Sequence, residues 1–142
     1  MPVERIEPVY TAEVIVTGGR SGRATSSDGA LDIELCPPGA NQDDPGTNPE
    51  QLFAAGYAAC FQSAMFGAAK TAGLDPEAVA IRSEVSLGKC DGGAWGLAVK
   101  LTVVVPGADL TVIDEVAQAA HKRCPYSRAT RGNIEVEIVA EN

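Results

Sequence analysis

The chain has 142 residues, 45% of them hydrophobic and 21% charged. That is enough for one domain, residues 1–142, which excludes a disordered chain and any need for disulfide or metal staples. Nineteen acidic against eleven basic side chains leave a net charge of −8. The balance argues against nucleic acid or an anionic membrane surface as partner, because phosphate binding needs a cationic face.

Tyr10–Val16 is rich in β-branched residues and partly alternates, which predicts a strand. Gly18-Gly19 ends it, Arg20–Arg23 reads as a turn, and Asp28-Gly29 marks a second turn before a short strand at Leu31–Leu35. Residues 37–46 hold Pro, Gly, Asn and Asp and read as a surface loop. A helix is predicted from Thr47 or Asn48 to about Thr71. Thr47 and Glu50 fit a capping box, and Pro49 suits the first turn. Gly73 and Pro76 stop the helix.

From Gln51 to Ala69 this helix carries no charge, which approaches a membrane-spanning length. Yet it is rich in Ala and Gly, and Gln51, Gln62 and Ser63 are polar. A helix buried on nearly all sides in a soluble protein accounts for this better than a membrane span. Gly56, Ala58, Ala59, Ala64 and Ala68 permit close approach of another element. We therefore expect a dimer sharing its central helices, the alternative being a monomer whose sheet curls around the helix.

Val79–Leu87 and Ala94–Val105 read as strands flanking the turn Lys89–Gly93. Asp109–Arg123 reads as an amphipathic helix closed by Pro125, and Ile134–Val139 as a last strand. The order predicts an α+β fold with antiparallel strands packed on helices.

Met1–Pro8 has no apolar run, so no secretory signal is read there. The four cysteines, Cys36, Cys60, Cys90 and Cys124, lack paired spacing. A cytoplasmic protein with reduced thiols is expected. With a single His, a His-rich metal site cannot be assembled, and His121 with Cys124 forms only half of a zinc pattern.

Cys60 lies mid-helix among apolar residues. The plain reading is a small packed hydrophobe. Burial disfavours its thiolate, and the helix dipole acts only near the terminus. A reactive Cys60 therefore requires an imported cation. Arg20, in its Gly-Gly turn, is the natural one, although a solvated turn arginine is its bland alternative. Glu50 reads as a capping and dipole residue. Ten residues of helix, about 15 Å, keep it from touching Cys60 directly. Cys124 follows His121-Lys122-Arg123 at a helix end, a semi-exposed electropositive setting suited to exchange chemistry, or a cysteine there by chance.

Four segments, Gly18–Arg23, Ser26–Gly29, Asn48–Phe61 and Cys124–Asn133, resemble the Ohr/OsmC family, in its organic hydroperoxide resistance branch. The resemblance runs from Tyr10 to Ile134. It implies an OsmC-like α+β fold, with antiparallel sheets wrapped around central buried helices in an intertwined homodimer, its sites at the interface. It also implies a thiol peroxidase that reduces alkyl or fatty-acid hydroperoxides. Cys60 resembles the peroxidatic cysteine and Cys124 the resolving one. Arg20 resembles the arginine that pairs with the thiolate, and Glu50 the carboxylate that orients it. No bound cofactor is implied; the reductant is dihydrolipoamide or a lipoylated protein. Cys36 and Cys90 match no family role.

An apolar wall for alkyl peroxides is available in Phe53, Phe61, Met65, Phe66 and Tyr126, residues that at helical spacing are otherwise core. Two rival readings share these residues: a non-catalytic redox-sensing or lipid-binding dimer, and a disulfide-exchange enzyme without peroxidase turnover.

Overall fold

The computed structural model describes residues 3–38 and 46–142. The chain forms two compact units that meet in sequence at Pro49 and Glu50.

The N-terminal unit is a three-stranded antiparallel sheet in the order β1 (Val14–Thr17), β2 (Arg23–Ser26), β3 (Asp32–Glu34). β1 begins later than the Tyr10–Val16 prediction. β2 was hidden by its composition, since Arg23-Ala-Thr-Ser26 offers only one apolar side chain, the buried Ala24. Gly18 and Gly19 both have positive φ, 75° and 56°, a region that favours glycine. A Cβ on Gly22 would collide with the Thr17 carbonyl oxygen. Together they close a tight 3₁₀ turn, Gly19–Ser21, that carries Arg20. Arg23 pairs across the sheet with Asp32 at 2.6 Å, a structural use of the second arginine of that segment. Leu35 and Thr47 form an isolated parallel bridge. Of the predicted loop 37–46, residues 39–45 lie outside the described residues.

The second unit opens with α1 (Pro49–Thr71), close to its predicted span. A long hairpin follows, β4 (Ala80–Lys89) and β5 (Trp95–Val104), registered from Ala80 opposite Val104 to Lys89 opposite Trp95. Its turn closes where Lys89–Gly93 predicts, with Cys90 N–H donating to the Ala94 carbonyl at 2.8 Å. α2 (Leu110–Arg123) starts at Asp109, whose carboxylate accepts from the N–H groups of Thr111 and Val112. Pro125 ends α2 and also opens a further short helix, α3 (Pro125–Thr130), which the sequence reading missed. Proline at a first helical position costs nothing, because its missing N–H would have no partner there. β6 (Glu135–Glu141) then pairs with β5 in parallel, from Ala98 opposite Glu135 to Val104 opposite Glu141. This corrects the wholly antiparallel expectation. The return through α2 and α3 is a crossover connection, long enough to bring β6 back in the direction of β5.

The core joins Val99, Leu101 and Val103 of β5, Ile113, Val116, Ala117 and Ala120 of α2, and Tyr57, Phe61, Met65 and Ala69 of α1. The α1 residues recur every four positions, one stripe of the helix. The expectation of burial on nearly all sides is therefore corrected for the single chain. α1 is apolar around its circumference, but the sheet and α2 cover one face, and Phe66 is 48% exposed on another. α1 is long and apolar enough to cross a membrane by length and composition, while its stripe lies in this core.

Candidate active site

Cys60 stands three residues after Tyr57 and one before Phe61 on α1, at the edge of the buried stripe, and is half-buried. Cys124 stands at the junction of α2 and α3, where it ends one helix and begins the next. Its thiol donates to Cys60 Sγ at 3.6 Å, and both cysteines are free. A disulfide is about 2.05 Å long, so the two sulfurs need to close by roughly 1.5 Å to bond. The structure thus brings together two of the four residues assigned chemistry by resemblance, 64 positions apart in sequence.

One feature of Cys124 differs from expectation. It is fully buried, not semi-exposed. Ile113, Val116, Ala117, Ala120 and Cys124 continue one stripe of α2 inward, while Lys122 and Arg123 turn outward into solvent. The adjacent cations in sequence are therefore on the other face of the helix.

Burial raises the Cys60 thiol above its ordinary value, the Tyr126 backbone N–H works against this by hydrogen-bonding the sulfur, and the neighbouring Cys124 raises it again. That amide is a functional group no side-chain reading could find. It belongs to the first turn of α3, where an N–H has no partner within its own helix. Tyr126 is also held by its ring, which meets Tyr57 at 5.7 Å and Phe53 at 6.2 Å between centroids. Gly56 permits this approach, since a Cβ there would lie 2.8 Å from the Tyr126 hydroxyl.

The predicted apolar wall divides. Phe53 packs edge-on against the partly exposed Tyr126, whose backbone N–H reaches the Cys60 sulfur, whereas Phe61 and Met65 are fully buried core residues and Phe66 is exposed. Arg20 lies in the 3₁₀ turn of the N-terminal unit, and Glu50 in the first turn of α1. Cys36 donates to the Gly46 carbonyl at 3.2 Å, and Cys90 sits exposed in the β4–β5 turn, so each has a local setting of its own.

The sequence reading also missed a polar network beside the sulfurs. Tyr57 Oη lies 2.8 Å from Ser127 Oγ and 3.2 Å from Thr130 Oγ1. Ser127 Oγ lies 2.8 Å from His121 Nδ1. Burial, and then the Arg131 charge, push His121 below its ordinary value, toward the neutral ring. His121 thus binds a serine rather than pairing with Cys124 in a metal pattern. Among the described residues, no group of three or more His, Cys, Asp or Glu side chains converges.

Comparison with known proteins bears on the family. Residues 40–139 match the family model described as OsmC-like protein. The chain is 51% identical over 135 residues to an organic hydroperoxide resistance protein of Xanthomonas axonopodis pv. citri, covering 92% of this chain and 93% of that one. It is 44% identical to organic hydroperoxide resistance protein OhrB of Bacillus subtilis over 132 residues, with 92% and 96% covered. The crystal structure of Bacillus subtilis OhrB superposes with a TM-score of 0.85 at 43% identity, covering 94% of this chain and all of that one. A Vibrio cholerae structure described as a putative organic hydroperoxide resistance protein, with captopril in one of its active sites, superposes at 0.84 and 31% identity, with 98% and 96% covered. Fold, matched residues and near full-length identity agree with the four sequence segments: the chain belongs to the Ohr/OsmC family.

Proposed function

We propose that this chain serves in organic hydroperoxide resistance as a thiol-dependent peroxidase. The observation that carries the reading is the 3.6 Å approach of Cys124 to Cys60 in the reduced state. The names of its relatives supply the substrate class.

The Cys60 thiolate attacks the O–O bond of a hydroperoxide. Its sulfur takes the terminal oxygen as sulfenic acid, and the departing alkoxide takes a proton to leave as an alcohol. The Cys124 thiol then attacks the sulfenic sulfur, water departs, and a Cys60–Cys124 disulfide remains. A dihydrolipoyl dithiol restores both thiols and becomes the lipoyl disulfide. Burial raises the Cys60 thiol, so the first step requires a charge that opposes it. Arg20 is the proposed source. A planar guanidinium can donate to the sulfur and to the developing alkoxide together. Glu50 is proposed to orient Arg20, since about 15 Å of helix separates it from Cys60. The active form is proposed to be a homodimer.

The test is rapid mixing of reduced protein with cumene hydroperoxide, followed by dihydrolipoamide. Stoichiometric alcohol, a Cys60–Cys124 disulfide in the peptide map and sustained turnover are the expected result. Cys60→Ser is expected to abolish peroxide consumption, and Cys124→Ser to allow one oxidation without turnover. A single slow oxidation that dihydrolipoamide does not reverse would instead favour a redox sensor. Rapid exchange with other disulfides and little peroxide loss would favour an exchange enzyme.

A further inference from the structure

Tyr57, Ser127 and Thr130 are polar side chains at 0%, 0% and 5% exposure beside Phe61, Leu101 and Ile113, which are themselves fully buried. A buried polar group is costly unless its hydrogen bonds are met, and a network of them specifies one arrangement more strictly than apolar packing does. Each side chain in this network has a hydrogen-bond partner. With the neutral His121 carrying its proton on Nε2, Ser127 donates to His121 Nδ1, Tyr57 donates to Ser127, and Thr130 donates to the Ser127 carbonyl. Arg131 fixes the far end by donating from its guanidinium to the His121 carbonyl and from its backbone N–H to the Ser127 carbonyl.

The position of the network relative to the sulfurs is specific. Tyr57 is three residues before Cys60 on α1, and Ser127 is three residues after Cys124 on α3. Residues three apart share a helix face. The 2.8 Å Tyr57–Ser127 hydrogen bond therefore lies about one helical turn from each sulfur, joining the two elements that carry them. His121, three residues before Cys124, joins α2 to the same serine.

We propose that the Tyr57–Ser127–His121 chain, with Thr130, positions the resolving thiol and so decides whether oxidised Cys60 closes to a disulfide or is oxidised further. The inference rests on the roles proposed above for Cys60 and Cys124. Its logic is kinetic. The first step uses Cys60 and the peroxide, whereas closure needs Cys124 to move roughly 1.5 Å toward a sulfenic sulfur before a second peroxide arrives. A tether between α1 and α3 is felt mainly in the second step, because the first needs no movement of Cys124. These four are positioning residues, acting through Cys124.

The test uses the full chain as wild type, Tyr57→Phe, Ser127→Ala and the double variant. Tyr57→Phe keeps the ring contacts with Phe53, Phe61 and Tyr126, which leaves a folded variant even if Ser127→Ala is poorly tolerated. Each reduced protein is mixed with excess cumene hydroperoxide. The rate of the first oxidation is recorded, and intact mass gives the ratio of Cys60 sulfinate to disulfide. The expected result is a rise in that ratio of about tenfold or more in each single variant, with the first oxidation changed far less. The double variant is expected to be no worse than the more affected single, because Ser127→Ala already removes the Tyr57–Ser127 bond that Tyr57→Phe breaks. An unchanged ratio, or a slowing of both steps in parallel, overturns the inference while leaving the peroxidase reading intact. A wild type that forms no Cys60–Cys124 disulfide overturns both.

Discussion

Cys60 is placed against its own ionisation. Its helix is uncharged around it and burial raises the thiol, while the Tyr126 N–H pulls the other way. A peroxidatic sulfur must be a thiolate at neutral pH, so the opposing charge has a measurable signature. Removing it in Arg20→Ala leaves a thiol that deprotonates only as pH rises through a value above the ordinary thiol range. The first oxidation is therefore expected to slow about tenfold or more at pH 7, one unit of pKa being a tenfold change in thiolate. It is then expected to keep rising with pH, where the wild-type rate is flat around neutrality. Arg20→Lys is expected to fall between the two, since an ammonium is a point charge without the planar fork. Rate–pH profiles, with circular dichroism to verify folding, check this; superimposable profiles would remove Arg20 from the mechanism.

At the scale of elements, the second cysteine is placed by α2 and the short helix after it. α2 begins where the Asp109 carboxylate accepts from Thr111 N–H at 2.8 Å and Val112 N–H at 3.3 Å. Asp109→Ala is expected to destabilise the protein by about 1 kcal/mol, a fall of roughly 3–4 °C in Tm, with no change in the two sulfurs' reactivity. Thermal melting beside thiol titration checks it, and an unchanged Tm would show that the cap is dispensable. The apolar period of α2 was legible because Leu110, Val112, Ile113, Val116, Ala117 and Ala120 recur at helical spacing. α3 was not legible, because six residues are too few to show a period and Pro125 reads equally well as a stop or a start. Nor was the parallel pairing of β6, since alternation in a strand carries no information about direction.

For the whole molecule, the proposed homodimer is tested by the apolar surface that each unit leaves uncovered. All four residues of β1 are exposed, Val14, Ile15 and Val16 among them, and Phe66 is exposed on α1. Exposed apolar side chains on each unit are candidates for burial against a partner. Analytical ultracentrifugation is expected to give twice the chain mass, and Phe66→Asp to weaken the dimer about tenfold or more, or 1.4 kcal/mol. A monomeric wild type at micromolar concentration would refute the dimer. By itself the sequence determined the α+β class, the long apolar helix, the hairpin, the amphipathic helix and, through its four segments, the family. Each of those depends on local periodicity or on short motifs. The tertiary structure alone decided that Cys124 is buried against Cys60, that the Tyr126 amide faces the Cys60 sulfur, and that Tyr57, Ser127 and His121 form one chain. The physical reason is distance. These groups lie up to 73 residues apart, as in the Tyr57–Thr130 contact, and meet only after the apolar stripes of α1 and α2 have been packed with β5 into one core.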